Sequence, residues 1–178
     1  MATLLHIYDS SDSRIVGTAN SRNYPGTRQV CAVGPSQSKT LYKVIDSLVS
    51  FGVKADAILF ETHGSPGSIY FGGSAYNAAY LTSCIGRGWQ SILSRSPAPK
   101  IYFNGCNVAS EARGWNFLEA AAKVFFQSSG QTIGHTSLGF EVPVWSFFTG
   151  HVVHFTGDTR TVYYDQGRVL ERFQQSDV

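Results

Sequence analysis

The chain has 178 residues, is 43% apolar and 15% charged, and so describes one globular domain, residues 1–178, rather than a disordered tail. Its net charge of +2 comes without a run of Lys and Arg, which removes the usual reason to expect nucleic acid, and no apolar run approaches membrane-spanning length. Three cysteines without paired spacing and a start without basic and apolar leader regions predict reduced thiols in a soluble, cytoplasmic protein; secretion by a route that leaves no N-terminal mark stays open.

In chain order, Leu4 to Tyr8 reads as a first strand, and Asp9 to Ser38, rich in Ser, Gly, Asn, Arg and Pro, reads mainly as loop. Leu41, Val44, Ile45, Leu48 and Val49 follow the spacing of an amphipathic helix that Gly52 ends. The run Ala57-Ile58-Leu59-Phe60 predicts a buried strand. Gly64 to Ser74 reads as a loop with a short hairpin at Ser68–Phe71. Leu81, Cys84, Ile85, Trp89 and Ile92 return to helical spacing, weakened by Gly86 and Gly88. Lys100–Asn104 is a further strand. Ser110 and Glu111 open a helix with Trp115, Leu118, Ala121, Ala122 and Phe125 inward, and Thr132–Thr136 is a fourth strand. A hairpin closes the chain, Thr161–Tyr164 and Arg168–Phe173 around Asp165-Gln166-Gly167. Strands alternating with helices predict an α/β fold around a mostly parallel sheet.

Two phrases carry the chemical signal. Glu61-Thr62-His63-Gly64-Ser65-Pro66-Gly67 and Asn104-Gly105-Cys106-Asn107-Val108-Ala109 each follow a predicted buried strand. A histidine and a cysteine therefore leave the C-terminal ends of two successive strands, where open α/β sheets place their ligand crevice. A thiol beside an imidazole is a nucleophile with its general base. Taken singly, Cys106 is a small core residue and His63 a surface imidazole; the paired strand-ending context favours the chemical reading. Gly64 has no side chain to screen its N–H, and Cys106 offers its own at a helical turn, so both suit an oxyanion.

Strand-His-Gly followed by strand-Gly-Cys resembles the caspase-like (clan CD) cysteine peptidases. His63-Gly64-Ser65-Pro66-Gly67 and Gly105-Cys106-Asn107-Val108-Ala109 resemble more closely a bacterial caspase-like domain of uncharacterised function. The resemblance spans roughly Ala57 to Thr136. It implies a three-layer caspase-hemoglobinase-like sandwich, His63 as base, Cys106 as nucleophile and the N–H groups of Gly64 and Cys106 as oxyanion hole. The expected activity is cysteine endopeptidase through an acyl-enzyme, with a protein or peptide substrate and no cofactor or metal; the other reading is a catalytically silent protein-binding module. The cysteine signature departs from the Gln-Ala-Cys form of eukaryotic caspases, so aspartate specificity does not carry over.

The supporting residues leave alternatives. Glu61 either orients His63 or is a solvated or salt-bridged carboxylate, and Asn107 either lines the cleft or caps a helix. His135 is a second candidate base at the same sheet edge. His151 and His154 near Asp158 invite a metal reading that strand alternation opposes. Trp145, Phe147 and Phe148 pack core or line an apolar subsite. Asp9, nearest the end of the first strand, is the expected floor of a substrate pocket favouring Lys or Arg, with Arg14, Arg22 or Arg28 able to reverse that preference and a solvated turn as the plain reading.

Overall fold

A computed structural model of the chain describes residues 3–21, 27–31, 41–137 and 158–175. It contains ten strands, β1 (Leu4–Tyr8), β2 (Thr27–Cys31), β3 (Ala57–Glu61), β4 (His63–Ser65), β5 (Ser68–Phe71), β6 (Ser74–Asn77), β7 (Lys100–Asn104), β8 (Ser129–His135), β9 (Thr159–Asp165) and β10 (Arg168–Gln175). Four α-helices, α1 (Ser13–Ser21), α2 (Leu41–Ser50), α3 (Ala78–Ser83) and α4 (Glu111–Phe125), and a 3₁₀ helix, Trp89–Leu93, complete the described elements. Seven strands form one sheet in the order β10-β9-β8-β7-β3-β1-β2, and β4, β5 and β6 form a small antiparallel sheet. Within the large sheet β2, β1, β3, β7 and β8 run parallel, while β9 and β10 add an antiparallel hairpin at one edge. The fold is thus mixed α/β with a mostly parallel central sheet.

This order positions the site. The chain leaves β1 for β2 on one side, then returns past β1 to β3 and continues to β7 and β8. The direction of travel reverses between β1 and β3, and such a reversal opens a crevice at the C-terminal ends of the strands. Register aligns those ends: Tyr8 lies opposite Glu61, and Glu61 opposite Asn104. The segments that begin with Asp9, Thr62 and Gly105 therefore start side by side.

Burial follows from two-residue alternation. Leu5, Ile7, Ile58, Phe60, Ile101 and Phe103 point to the face covered by α2, the 3₁₀ helix and α4, and share one core with Leu41, Ile45, Trp89, Phe117 and Phe125. Phe60 stacks on Phe103 with ring centroids 5.2 Å apart, and Phe117 meets Phe103 edge-on at 4.8 Å. Leu4, Leu59 and Tyr102 form a smaller cluster on the opposite face. Among the described residues no helix is long and apolar enough to cross a membrane.

Three sequence expectations need correction. The stretch Asp9–Ser38, expected to be mainly loop, holds α1 and β2. Among the described side chains of α1 only Ile15 and Ala19, one turn apart, are buried, so the apolar period was too sparse to read. The continuous helix expected around Leu81–Ile92 is broken into α3 and the 3₁₀ helix, because Gly86 and Gly88 take positive φ, 90° and 78°. Ser68–Phe71 is the central strand of a three-stranded sheet, not half of a lone hairpin. The terminal hairpin forms as expected, turning through Gln166 and Gly167 at φ 47° and 86°.

The loops after β3 and β7 touch through their backbones. A methyl group on Gly64 would lie 2.4 Å from Val108 Cγ2 and 2.7 Å from Cys106 O, and one on Gly105 would lie 3.2 Å from Thr62 O and 3.3 Å from Gly64 Cα. Only glycine permits this approach at either position. Gly64→Ala should therefore destabilise the fold by roughly 1–3 kcal/mol through overpacking, read as a lower urea midpoint at unchanged m-value; an unchanged midpoint would show that the two loops separate freely.

Candidate active site

Asp12 organises the β1–α1 turn. It stands at the N-cap of α1, where its Oδ1 accepts a hydrogen bond from the Arg14 N–H at 2.7 Å and its carbonyl accepts from the Val16 N–H at 3.0 Å. The other carboxylate oxygen, Oδ2, accepts from His63 Nε2 at 2.8 Å and from Arg14 Nη2 at 3.0 Å. Hydrogen bonds from Arg14 first, and from His63 second, hold the Asp12 carboxyl well below the usual carboxylate range. An ionised carboxylate only accepts, so His63 carries its proton on Nε2 and presents Nδ1 as the other ring nitrogen. The His63 side chain is half exposed.

Glu61 does not orient His63. It is 3% exposed and meets His6, itself fully buried on β1, at 2.7 Å between Oε2 and Nε2. Side chains of β1 and β3 that share a sheet face point the same way, and this leads Glu61 to the sheet while His63, beyond the strand end, reaches the α1 turn. The buried alternative, a salt-bridged carboxylate, is the one realised.

Asp9 is also placed differently from the sequence expectation of a substrate pocket. It is 3% exposed, and its two oxygens accept from the backbone N–H groups of Ser11 at 2.9 Å and Gly72 at 3.1 Å. Its own N–H donates to Glu61 O at 3.1 Å. Asp9 therefore ties the β1 turn to β3 and to the β5–β6 turn, a structural use of a carboxylate that leaves it buried behind the crevice.

Cys106 is half-buried at the start of the turn between β7 and α4. That turn is pinned to its surroundings: Asn107 N–H donates to Ser137 O at 3.1 Å, Ala109 N–H to His135 O at 2.8 Å, and Gly67 N–H to Val108 O at 2.9 Å. Asn107 adopts a left-handed backbone, φ 60°, which asparagine tolerates better than most side chains. The N-cap position of α4 belongs to Ser110, so Asn107 shapes the Cys106 turn rather than capping the helix. Gly64 lies in the small sheet opposite Ile69, beside the Cys106 turn.

Cys106 lines a cleft of about 140 Å³ together with Arg14 and Ile15 of α1, Glu61, Asn104 and His135. That volume exceeds the roughly 10–15 Å³ a single water needs and falls short of the ~300–1,000 Å³ of pockets that enclose drug-sized ligands. Among the described residues it has room for a side chain of a substrate. His63 does not line this cleft; its ring is turned to Asp12 at the head of α1. His135 is 1% exposed and does line it, so the second candidate base shares the thiol's cleft. Cys84, by contrast, is a core residue whose thiol is pushed up by burial.

Sequence reading missed the roles of Asp12 and His6. Asp12 was visible only as a polar residue of an assumed loop; Ile15 and Ala19 at one-turn spacing after an aspartate were the faint sign of a capped helix. Arg14, weighed as an alternative pocket residue, lines the cleft with Cys106. Among the described residues no three His, Cys, Asp or Glu side chains group to hold a metal ion. His151, His154, Trp145, Phe147, Phe148 and Arg22 lie outside the described residues, as do the side chains of Arg28 and Cys31.

No curated protein and no solved structure matches the chain. Residues 25–147, well over half of its length and including both chemical phrases, match the family described as Domain of unknown function (DUF4347). The chain belongs to the DUF4347 family.

Proposed function

We propose that this chain is a cysteine peptidase of caspase-like design, with Cys106 as nucleophile, His63 as general base and Asp12 as the residue that orients His63. The observation that carries the reading is the contact at the sheet reversal. His63 is held through Nε2 by an ionised carboxylate, and the backbone beside it abuts the turn that carries the thiol. An imidazole tethered by one nitrogen, on a backbone that abuts the pinned turn of a half-buried cysteine, supplies the parts a thiol nucleophile needs. Placement of α2 and α4 against one sheet face and of the α1 residues Arg14 and Ile15 beside Glu61 and Asn104 supports caspase-like layering.

In this mechanism Nδ1 of His63 takes the Cys106 proton, and the thiolate adds to the carbonyl carbon of a peptide. The N–H groups of Gly64 and Cys106 receive the oxyanion. The imidazolium then protonates the departing amine as the C–N bond breaks, leaving a thioester on Cys106. Water, losing its proton to His63, adds to the thioester; the C–S bond breaks, the acid product departs, and the thiol is restored.

Iodoacetamide should label Cys106 faster than Cys84, whose buried thiol stays protonated, with the sites read by peptide mass spectrometry. A peptide-library digest should show cleavage that both Cys106→Ala and His63→Ala abolish while the melting temperature stays near that of the native chain. Persistent cleavage by Cys106→Ala overturns the reading. Loss in His135→Ala with retention in His63→Ala would transfer the base to His135.

Asp12→Asn should lower kcat by about 10²-fold, the low end of what a positioned acid–base group supplies, with KM little changed. Its effect on stability has a defined pH window. A carboxyl depressed in the folded state stabilises fully above its unfolded value near 3.9, and that stabilisation fades as pH falls towards the folded value. The gap in melting temperature between the native chain and Asp12→Asn should thus persist at pH 5 and narrow below about 4. Closure of the gap already at pH 5 would mean that Arg14 and His63 do not hold the carboxylate.

A further inference from the structure

The turn that carries Cys106 ends in a conformation its own residues do not favour. Glu111 opens α4 with φ 57°, a left-handed backbone that L residues other than glycine and asparagine adopt rarely. Asn107 is left-handed at the other end of the same turn. Gly114 lets the first turn of α4 close against it, since a methyl there would lie 2.0 Å from the Ala109 carbonyl carbon. The consequence is that two carbonyl oxygens, those of Ala109 and Glu111, converge on one point. Converging carbonyl dipoles repel unless a donor stands between them.

Arg160 of β9 supplies that donor. Its Nη1 donates to Ala109 O at 2.9 Å and to Glu111 O at 2.5 Å. Its guanidinium carbon sits 4.8 Å from the centre of the Trp115 ring on α4, and its Nε donates to Gln174 Oε1 at 3.0 Å. The stacked indole and the β10 amide set the plane of the fork, so the charge is aimed and not merely nearby. Arg172, paired with Glu119, lies over the same indole at 5.8 Å.

We propose that Arg160 is a positioning residue for Cys106, clamping the far end of the nucleophile turn from outside the cleft. The proposal rests on the peptidase reading for its functional meaning, while the clamp itself stands on geometry. One guanidinium nitrogen shared by two carbonyls holds the left-handed Glu111 in place, and through Ala109 and Val108 it keeps Cys106 against Gly64. Lysine preserves the charge and could reach the carbonyls, but it lacks the plane that stacks on the indole and the second nitrogen that Gln174 fixes.

The test compares the full chain with Arg160→Met and Arg160→Lys by two readouts. Amide hydrogen exchange at Asn107, Ala109 and Ser110 should accelerate at least about tenfold in Arg160→Met, as local opening of the turn requires, with the amides of β3 and β7 unchanged. Iodoacetamide labelling of Cys106 should slow by roughly tenfold or more, within what a small misplacement costs a reacting group, and Cys84 labelling should not move. Arg160→Lys should lie between, and it serves alone if Arg160→Met fails to fold. Unchanged exchange in the turn overturns the clamp. Faster exchange with unchanged Cys106 labelling overturns its role in positioning the thiol and leaves a merely structural arginine. Should the native chain show no preference for Cys106, the peptidase reading fails, while the exchange readout still judges the clamp.

Discussion

Everything at the candidate site depends on a backbone contact between two glycines. Gly64, in β4 just past β3, and Gly105, just past β7, face each other, and the space between them admits no side chain. Parallel pairing of these strands brings the loops to one edge, and the absence of two Cβ atoms lets them meet. Gly67 continues the contact, its N–H reaching Val108 O and its Cα leaving no room for a side chain against Arg113. This seam brings the backbone that carries His63 against the turn that carries Cys106.

Around the seam, charged groups act as fasteners. Asp12 caps α1, pairs with Arg14 and holds His63, so one carboxylate joins a helix start to the candidate base. Asp9 joins the same turn to the small sheet, and Glu61 meets His6 beneath the crevice. Buried polar groups are costly unless paired. The buried Asp9 and Glu61 at this sheet edge therefore mark a region where the fold accepts that cost to hold loops in defined positions. Arg160 extends the pattern to the outer end of the turn that carries Cys106.

Much of this was legible in advance where chemistry is local. The strands β1, β3 and β7 are short apolar runs, α2 and α4 carry the 3.6-residue period, and the β9–β10 turn has a glycine at the position that needs positive φ. The two phrases around His63 and Cys106 were readable because glycine, histidine and cysteine at strand ends are few and each has a chemical reason to be there. The helix α1 was not readable, since its three apolar residues, Ile15, Val16 and Ala19, make no period, and β2 contributes a single valine to an edge strand.

The sequence by itself determined the set of groups available to the site: one thiol and one imidazole after successive strands, flanked by glycines. Only tertiary structure decided their partners. Asp9, Asp12 and Glu61 are chemically alike, and nothing local distinguishes a carboxylate that binds a backbone amide from one that binds an imidazole. The choice is made by strand order and register, which align the ends of β1, β3 and β7 and leave Asp12, four residues past the end of β1, within reach of His63. Spacing along the chain cannot encode that choice, because the partners are joined through a sheet whose strands pair across some fifty residues.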